Sequence, residues 1–139
     1  MLYSMTEEDR NSVLEILSTN SYLSLNKKLL AVCGPEITVY LGNLVDKYKY
    51  FLKKNMITED GGFYLIHEDQ TAQTGMTEYQ LRRCKKILKD LNLLRTEKRG
   101  IPSKEFYFLN FTELKTFLND ILDNNIRPTK IVPQDLRKS

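Results

Sequence analysis

The fold of this chain is decided by residues 68–109, which read EDQTAQTGMTEYQLRRCKKILKDLNLLRTEKRGIPSKEFYFL. Residues 68–74 can form a short helix, and Gly75 is the residue type that most often ends one. Thr77 can cap the helix that follows, because Gln80 three residues later completes the spacing of a capping box. The stretch therefore predicts two helices joined by a tight turn.

The second of these helices, predicted over residues 77–91, has one apolar face and one basic face. When Cys84 is placed at the centre of an inward face, a period of 3.6 residues brings Leu81 and Leu88 to the same side. The same geometry turns four residues outward: Tyr79, Arg82, Arg83 and Lys86. The outward surface is therefore predicted to be basic and to carry one aromatic ring.

A β-hairpin is predicted after this helix, since strand-forming residues lie on both sides of a turn that contains glycine and proline. The first strand is expected from Leu94 to Lys98 and the second from Glu105 to Leu109. The tip of the hairpin, residues 98–104, holds three basic residues: Lys98, Arg99 and Lys104. The tip is therefore expected to be positively charged.

Three helices and a short strand are predicted before this stretch, and one helix after it. Thr6 can cap the first helix, and Gly34 can end the second just before Pro35 opens the third. The other predicted ranges are residues 35–55 for the third helix, 63–66 for the strand and 112–123 for the last helix. The chain is therefore expected to be mainly helical.

The predicted order is helix, short strand, helix, turn, helix and hairpin, which is the order of a winged helix-turn-helix domain. We therefore predict a mainly α (α+β) fold with extra N-terminal helices, a β-hairpin wing and a C-terminal helix. At 139 residues the chain is long enough to bury one core. We expect the domain over residues 24–125, an N-terminal helical appendage at 1–23 and a flexible tail at 126–139.

Positive charge is concentrated in one segment of the chain, although the net charge is only +3. Residues 77–104 hold 9 basic and 3 acidic side chains, whereas residues 1–76 hold 7 basic and 10 acidic ones. Residues 105–139 are balanced, with 5 of each. Because a localised positive field attracts polyanions, this distribution favours a nucleic acid as the partner.

A winged helix-turn-helix domain reads duplex DNA by placing its second helix in the major groove, where side chains near the helix N-terminus reach base edges. The residues so placed here are Thr77, Glu78, Tyr79, Arg82, Arg83 and Lys86. The wing residues Lys98, Arg99 and Lys104 are expected to hold the phosphate backbone or to enter the adjacent minor groove. Which arginine meets a base and which a phosphate stays open.

No catalytic or metal-binding set is evident in the sequence. His67 is the only histidine, and neither Cys33 nor Cys84 has a second thiol or a histidine at metal-ligand spacing. Both cysteines are expected to be buried as small apolar residues. We therefore expect no enzyme activity, no metal and no cofactor.

No stretch of the sequence approaches the roughly 18 apolar residues of a membrane span. The N-terminus also lacks the basic segment followed by an apolar one that marks a secretory signal. We therefore expect a cytoplasmic protein without a membrane partner.

Three stretches resemble a family of phage- and plasmid-borne winged-helix proteins: LNKKLLAVCGPEITVYLGNLVDKYKYF, GGFYLIHEDQTAQTGMTEYQLRRCKKILKDLNLL and EKRGIPSKEFYFLN. The family includes the N-terminal domains of replication initiators and replisome organisers, and small winged-helix regulators. The resemblance covers roughly residues 24–125, and its most specific part is the R-G-x-P-x-K wing motif from Arg99 to Lys104. The family normally has an aliphatic and a small residue where this chain has Gln70 and Thr71, so we expect that helix to pack loosely.

Two functions stay open at this stage. The first is a sequence-dependent double-stranded DNA-binding protein of a mobile element, a regulator or a replication accessory factor, that forms a homodimer through helices at 6–18 and 112–123. The alternative is a protein–protein interaction module that binds a host, phage or replication protein through the C-terminal helix and the tail at 124–139. Salt separates the two, because counterion release makes DNA affinity fall steeply as salt rises.

Overall fold

The computed structural model describes residues 6–19 and 23–123 of the chain. The predicted tail at 126–139 and parts of the predicted appendage at 1–23 lie outside the described residues. The elements are α1 (Glu7–Thr19), α2 (Lys27–Cys33), α3 (Pro35–Lys53), β1 (Phe63–Tyr64), α4 (His67–Thr74), α5 (Glu78–Asp90), β2 (Leu94–Arg99), β3 (Lys104–Leu109) and α6 (Phe111–Asp123). The mainly α fold with one small sheet is therefore confirmed.

The first three helices begin and end where short polar residues and glycine allow it. The Thr6 hydroxyl accepts a hydrogen bond from the Asp9 amide (3.0 Å) and caps α1, and Asn26 caps α2 in the same way. Gly34 has φ +87°, a value that favours glycine, and its amide donates to the Leu30 carbonyl. This glycine lets α2 end and α3 begin within one residue.

The helix-turn-helix pair is formed by α4 and α5 as the sequence predicts. Gly75 adopts the left-handed conformation, φ +73°, and its amide donates to the Thr71 carbonyl. In the capping box of α5, the Thr77 hydroxyl accepts from the Gln80 amide (3.2 Å), and the Gln80 side chain accepts from the Thr77 amide (2.9 Å). Two backbone donors at the start of α5 are thereby satisfied.

The sheet has the strand order β1-β3-β2, and both pairings are antiparallel. The hairpin strands extend one residue further toward the tip than predicted, because Arg99 pairs with Lys104. The turn is therefore confined to residues 100–103. Strand β1 is shorter than predicted, with Phe63 opposite Tyr107 and Tyr64 opposite Phe106.

The core lies between α3, α5 and the sheet. Its fully buried side chains include Ile37 and Leu44 of α3, Leu88 of α5 and Tyr107 of β3. Both cysteines are buried as expected, and burial raises the pKa of the Cys84 thiol to about 12. The thiol therefore stays protonated at neutral pH.

Helix α4 is closely packed rather than loose at the position where the sequence departs from the family pattern. The Gln70 side chain is 1% exposed, and its Nε2 donates to the Tyr107 hydroxyl at 3.1 Å. A second polar contact links α4 to α3, since Asn43 Nδ2 donates to Gln73 Oε1 at 3.1 Å. Polar pairing thus replaces the apolar contact that an aliphatic residue would make.

The arrangement of α4, α5 and the β2–β3 hairpin is that of a winged helix, with α2 and α6 packed on α3 and on each other. Helix α1 contributes little to the core, because its described side chains, residues 7–15, are all exposed. No helix in the described part of the chain combines the length and apolar character needed to cross a bilayer.

Candidate nucleic-acid interface

The outer surface of α5 carries a basic stripe that begins near the helix N-terminus. Tyr79 is 63% exposed, and the side chains of Arg82 and Lys86 are 58% and 75% exposed. Their acidic partners lie one turn away on the same helix, at Glu78 (2.9 Å) and Asp90 (3.1 Å). Such exposed i, i+4 pairs stabilise a helix only weakly, so both cations can exchange partners with an incoming anion.

Arg83 departs from the predicted outward position. Its NH2 group lies 2.8 and 3.0 Å from the two oxygens of Glu36, in the first turn of α3, and its side chain is 27% exposed. The hydrogen bonds that the guanidinium donates to Glu36 raise its pKa above its ordinary value. The guanidinium also lies 5.2 Å from the centre of the Tyr79 ring. Arg83 therefore joins α5 to α3.

Glu36 also holds the capping box of α5. Gln80 Nε2 donates to Glu36 Oε1 at 3.0 Å, while Gln80 Oε1 accepts from the Thr77 amide. One carboxylate thus binds two successive turns of α5, which fixes the direction in which the N-terminus of the helix points. Thr77 has its hydroxyl engaged in the cap and remains exposed at the start of the stripe.

Two contacts set α5 alongside the hairpin. Lys89 Nζ donates to the Thr96 hydroxyl (3.1 Å), near the base of the hairpin. Lys85 Nζ pairs with Glu105 (2.8 Å), which lies opposite Lys98 and closer to the tip. The contact made by Lys85, which is closer to the N-terminus of α5, is also the one closer to the tip. The N-terminus of α5 and the turn of the wing therefore lie at the same end of the domain.

The register of the hairpin divides the three basic residues of the wing between its two faces. Alternate residues of a strand point to opposite faces, and the buried Tyr107 marks the face toward the core and α5, called here the inner face. Lys98 lies on the inner face, next to the strand position of Glu105. Arg99 and Lys104 lie on the other face, called here the outer face.

Arg99 is bound within the protein on this outer face. Its NH1 and NH2 groups contact Asp60 at 3.3 and 2.5 Å, and its Nε and NH2 groups contact Glu97 at 3.1 and 3.2 Å. The hydrogen bond from Arg99 holds the pKa of Asp60 well below its ordinary value, with Thr58 adding to the effect. The strand period of two already puts Glu97 on the same face as Arg99, whereas Asp60, 39 residues away, leaves no signal in the local sequence.

Lys104 is exposed on the outer face, with its Nζ 5.2 Å from the centre of the Tyr64 ring. Lys98 is exposed on the inner face. The structure therefore brings Tyr79, Arg82 and Lys86 together on α5 and puts Lys98 on the face of the wing that looks toward them. It does not bring Lys104 to that side.

Three residues with a part in this surface were missed from the sequence: Glu36, Asp60 and Lys89. Lys89 could have been found, because it follows Arg82 by seven residues and so lies on the same helix face. Glu36 and Asp60 lie 47 and 39 residues from the arginines they bind. Local spacing carries no signal for pairs so far apart.

Side chains that could bind a metal ion are not grouped in the described ranges 6–19 and 23–123. No cluster of three or more His, Cys, Asp or Glu side chains there could hold a metal ion. His67 opens α4, and both cysteines are buried.

Solved structures that share this fold include the following two. One is described as the N-terminal domain of a DNA-binding protein, with a TM-score of 0.53 and 15% identity over 92% of this chain and 100% of that one. The other is described as the structure of a Rep–DNA complex, with a TM-score of 0.53 and 15% identity over 91% of this chain and 99% of that one. No family model and no curated protein matches the chain. At this identity the likeness establishes the fold.

Proposed function

We propose that this chain is a double-stranded DNA-binding protein that inserts α5 into the major groove and sets its wing on the backbone. One observation carries the proposal. The exposed cations of α5 and Lys98 of the inner face lie on one side of the domain, at the end that holds the N-terminus of α5 and the tip of the wing. A groove about 12 Å wide admits one helix, and the flanking phosphates then lie within reach of a hairpin beside it.

The exposed side chains divide into two roles. Arg82 and Tyr79 lie near the start of α5, where side chains reach base edges, and the planar fork of Arg82 suits guanine O6 and N7. Lys86 and Lys98 are point charges suited to phosphate oxygens. Arg83 and Arg99 would have to release Glu36 and Asp60 before either could contact DNA, so we assign them no direct contact.

The descriptions of the two structural neighbours agree with this proposal, since one names a DNA-binding protein and the other a Rep–DNA complex. The charge distribution agrees as well, because the segment with 9 basic and 3 acidic side chains is the one that forms α5 and the wing. Phosphate attraction of this kind supplies most of the affinity that a protein has for DNA of any sequence.

The finer proposal is a cytoplasmic regulator or replication accessory factor of a phage- or plasmid-type element, without enzyme activity, that binds its site as a homodimer. The sequence resemblance supports the mobile-element origin. Exposed apolar side chains on α1 and α6, among them Val13 and Leu122, support pairing between two copies. These two helices lie outside the α4–α5–wing unit.

Selection of bound duplexes from a random pool tests the proposal. We expect enrichment of a sequence made of two inverted half-sites about one helical turn apart, which a symmetric dimer would read. Enrichment of a single half-site would refute the homodimer but not DNA binding. No enrichment, together with no binding at roughly 50 mM salt, would refute DNA binding itself.

A protein–protein interaction module is the second candidate, and one observation favours it. A groove of about 640 Å³ lies between α2, α3 and α6, and its apolar lining includes Leu25, Leu41, Leu118 and Leu122. An amphipathic helix of a partner protein could lie in such a groove. A partner bound there should dissociate little as salt rises, in contrast to DNA on the α5 side.

A further inference from the structure

On the outer face of the wing, Arg99 uses almost all of its N–H donors in contacts within the protein. A guanidinium has five N–H donors. Arg99 makes four hydrogen-bond contacts, two to Asp60 and two to Glu97. Arg95 adds a further bond to Glu97 at 2.9 Å, so two arginines and two carboxylates on this face compensate one another. Apart from Lys104, the outer face therefore adds little to the positive field of the wing.

The partner acid belongs to a turn that is itself rigid and packs against the hairpin. The Thr58 hydroxyl donates to Asp60 and accepts from the Gly62 amide (2.7 Å), which closes the turn at residues 58–62. A Cβ atom at Gly62 would lie 2.6 Å from the Phe108 ring, so any side chain there would have to displace that ring. The turn thus contacts the hairpin at the Phe108 ring and at Arg99.

These two contacts hold the hairpin from the side opposite α5. On the α5 side, the contacts of Lys85 and Lys89 to Glu105 and Thr96 hold the inner face. The position of Lys98 relative to the stripe of α5 is therefore fixed from both sides. Only the outer contact lies within one residue of the turn, because Arg99 is the last residue of β2.

We propose that Asp60 is a positioning residue for DNA binding, which holds the wing through Arg99 so that Lys98 stays beside α5; this inference rests on the function proposed above. Arg99 then acts as a fastening for the wing and makes no contact with phosphate. The opposite role would be an Asp60 that competes with phosphate for a DNA-binding Arg99. The two roles predict opposite signs for one substitution.

The test compares Asp60→Asn with Glu59→Gln, which removes a negative charge from the neighbouring exposed residue. If Asp60 positions the wing, D60N binds a duplex about threefold to tenfold more weakly than E59Q, as expected for coupled contacts. If Asp60 competes with phosphate, D60N binds more tightly than E59Q, and the proposal is overturned. Circular dichroism melts of both variants check that the fold is kept.

A second arm asks whether the effect passes through Lys98. In a Lys98→Ala background, D60N should cause no further loss of affinity, because the residue it positions is gone. Additive losses in the Lys98→Ala/Asp60→Asn double variant would overturn the proposal.

Amide hydrogen exchange separates a failure of this inference from a failure of the proposed function. D60N should raise exchange in the hairpin from Lys98 to Glu105, relative to E59Q, with no DNA present. Unchanged exchange there overturns the positioning role even if the protein binds DNA. A parent protein that binds no duplex at roughly 50 mM salt refutes the proposed function and, with it, the role of Asp60 in binding.

Discussion

Helix α5 and the wing both carry three predicted DNA-binding cations, but they present them differently. On α5, Arg82 and Lys86 lie on one exposed stripe, because residues four apart share a helix face. On the wing, a period of two places Lys98 on one face and Arg99 and Lys104 on the other. Net charge in a segment therefore overstates the charge that one ligand can meet, and it does so more for a hairpin than for a helix.

The largest effect should come from the α5 stripe. We expect the Arg82→Ala/Lys86→Ala double variant to lose duplex affinity on the order of 100-fold, since each lost contact to a base or phosphate costs about 1–3 kcal/mol. Fluorescence anisotropy with a labelled duplex measures this loss.

The matched control for that variant is Lys53→Ala/Lys115→Ala, which removes two exposed cations from α3 and α6. It should bind nearly as the parent does. Equal losses in the two double variants would mean that total charge, and not the α5 stripe, governs binding.

The two faces of the wing should respond to substitution with different strength. Lys98→Ala should weaken binding to all duplexes alike, by about threefold to tenfold, and reduce the slope of log affinity against log salt by about one unit. Lys104→Ala, on the outer face, should leave that slope unchanged. Titrations at several salt concentrations make the comparison, and equal slopes for the two variants would contradict the division of the faces.

The partly buried Arg83–Glu36 pair should contribute to stability, whereas the exposed Arg82–Glu78 pair should not. Glu36→Gln weakens contacts with both Arg83 and Gln80, so we expect a lower Tm and weaker duplex binding. Glu78→Gln removes the exposed partner of Arg82 and should change stability by no more than about 0.5 kcal/mol. Tighter DNA binding by E36Q would instead indicate that a freed Arg83 contacts the duplex.

The smallest expected effect is on the pKa of Asp60, the partner of Arg99. The hydrogen bond from Arg99 holds the pKa of Asp60 below its ordinary value. The pair therefore contributes its full stability above that ordinary value, about 3.9, and loses it progressively as pH falls from there to the lower folded value. The carboxyl carbon signal of Asp60 should therefore titrate at lower pH in the parent than in Arg99→Ala. An identical midpoint in both proteins would show that the pair is absent in solution.

The order of the elements could be predicted from the sequence because each boundary has a local cause. Gly34, Gly75 and the Thr77–Gln80 capping box end or begin helices through backbone geometry and hydrogen bonds within a few residues. The outward position of Arg82 and Lys86 follows from the same local periodicity. These features need no knowledge of the rest of the chain.

The remaining features depend on residues that are distant along the chain. Arg83 and Arg99 were expected to face DNA. Their pairing with Glu36 and Asp60 could not be predicted, because these acids belong to a helix and a turn that only the folded chain brings near. The burial of Gln70 was missed for the same reason, since its hydrogen-bond partner is 37 residues away on β3. Tertiary partners decide which polar residues stay at the surface.

DNA binding by α5 and the inner face of the wing is tested most directly by titrating the ¹⁵N-labelled full chain with a short duplex at roughly 50 mM salt and following every amide signal. We expect the largest shifts over residues 77–86 and at Lys98, with little change around the groove lined by Leu25 and Leu122. Shifts that concentrate at that groove, or signals that do not respond to the duplex at all, would contradict DNA binding by α5 and the inner face of the wing.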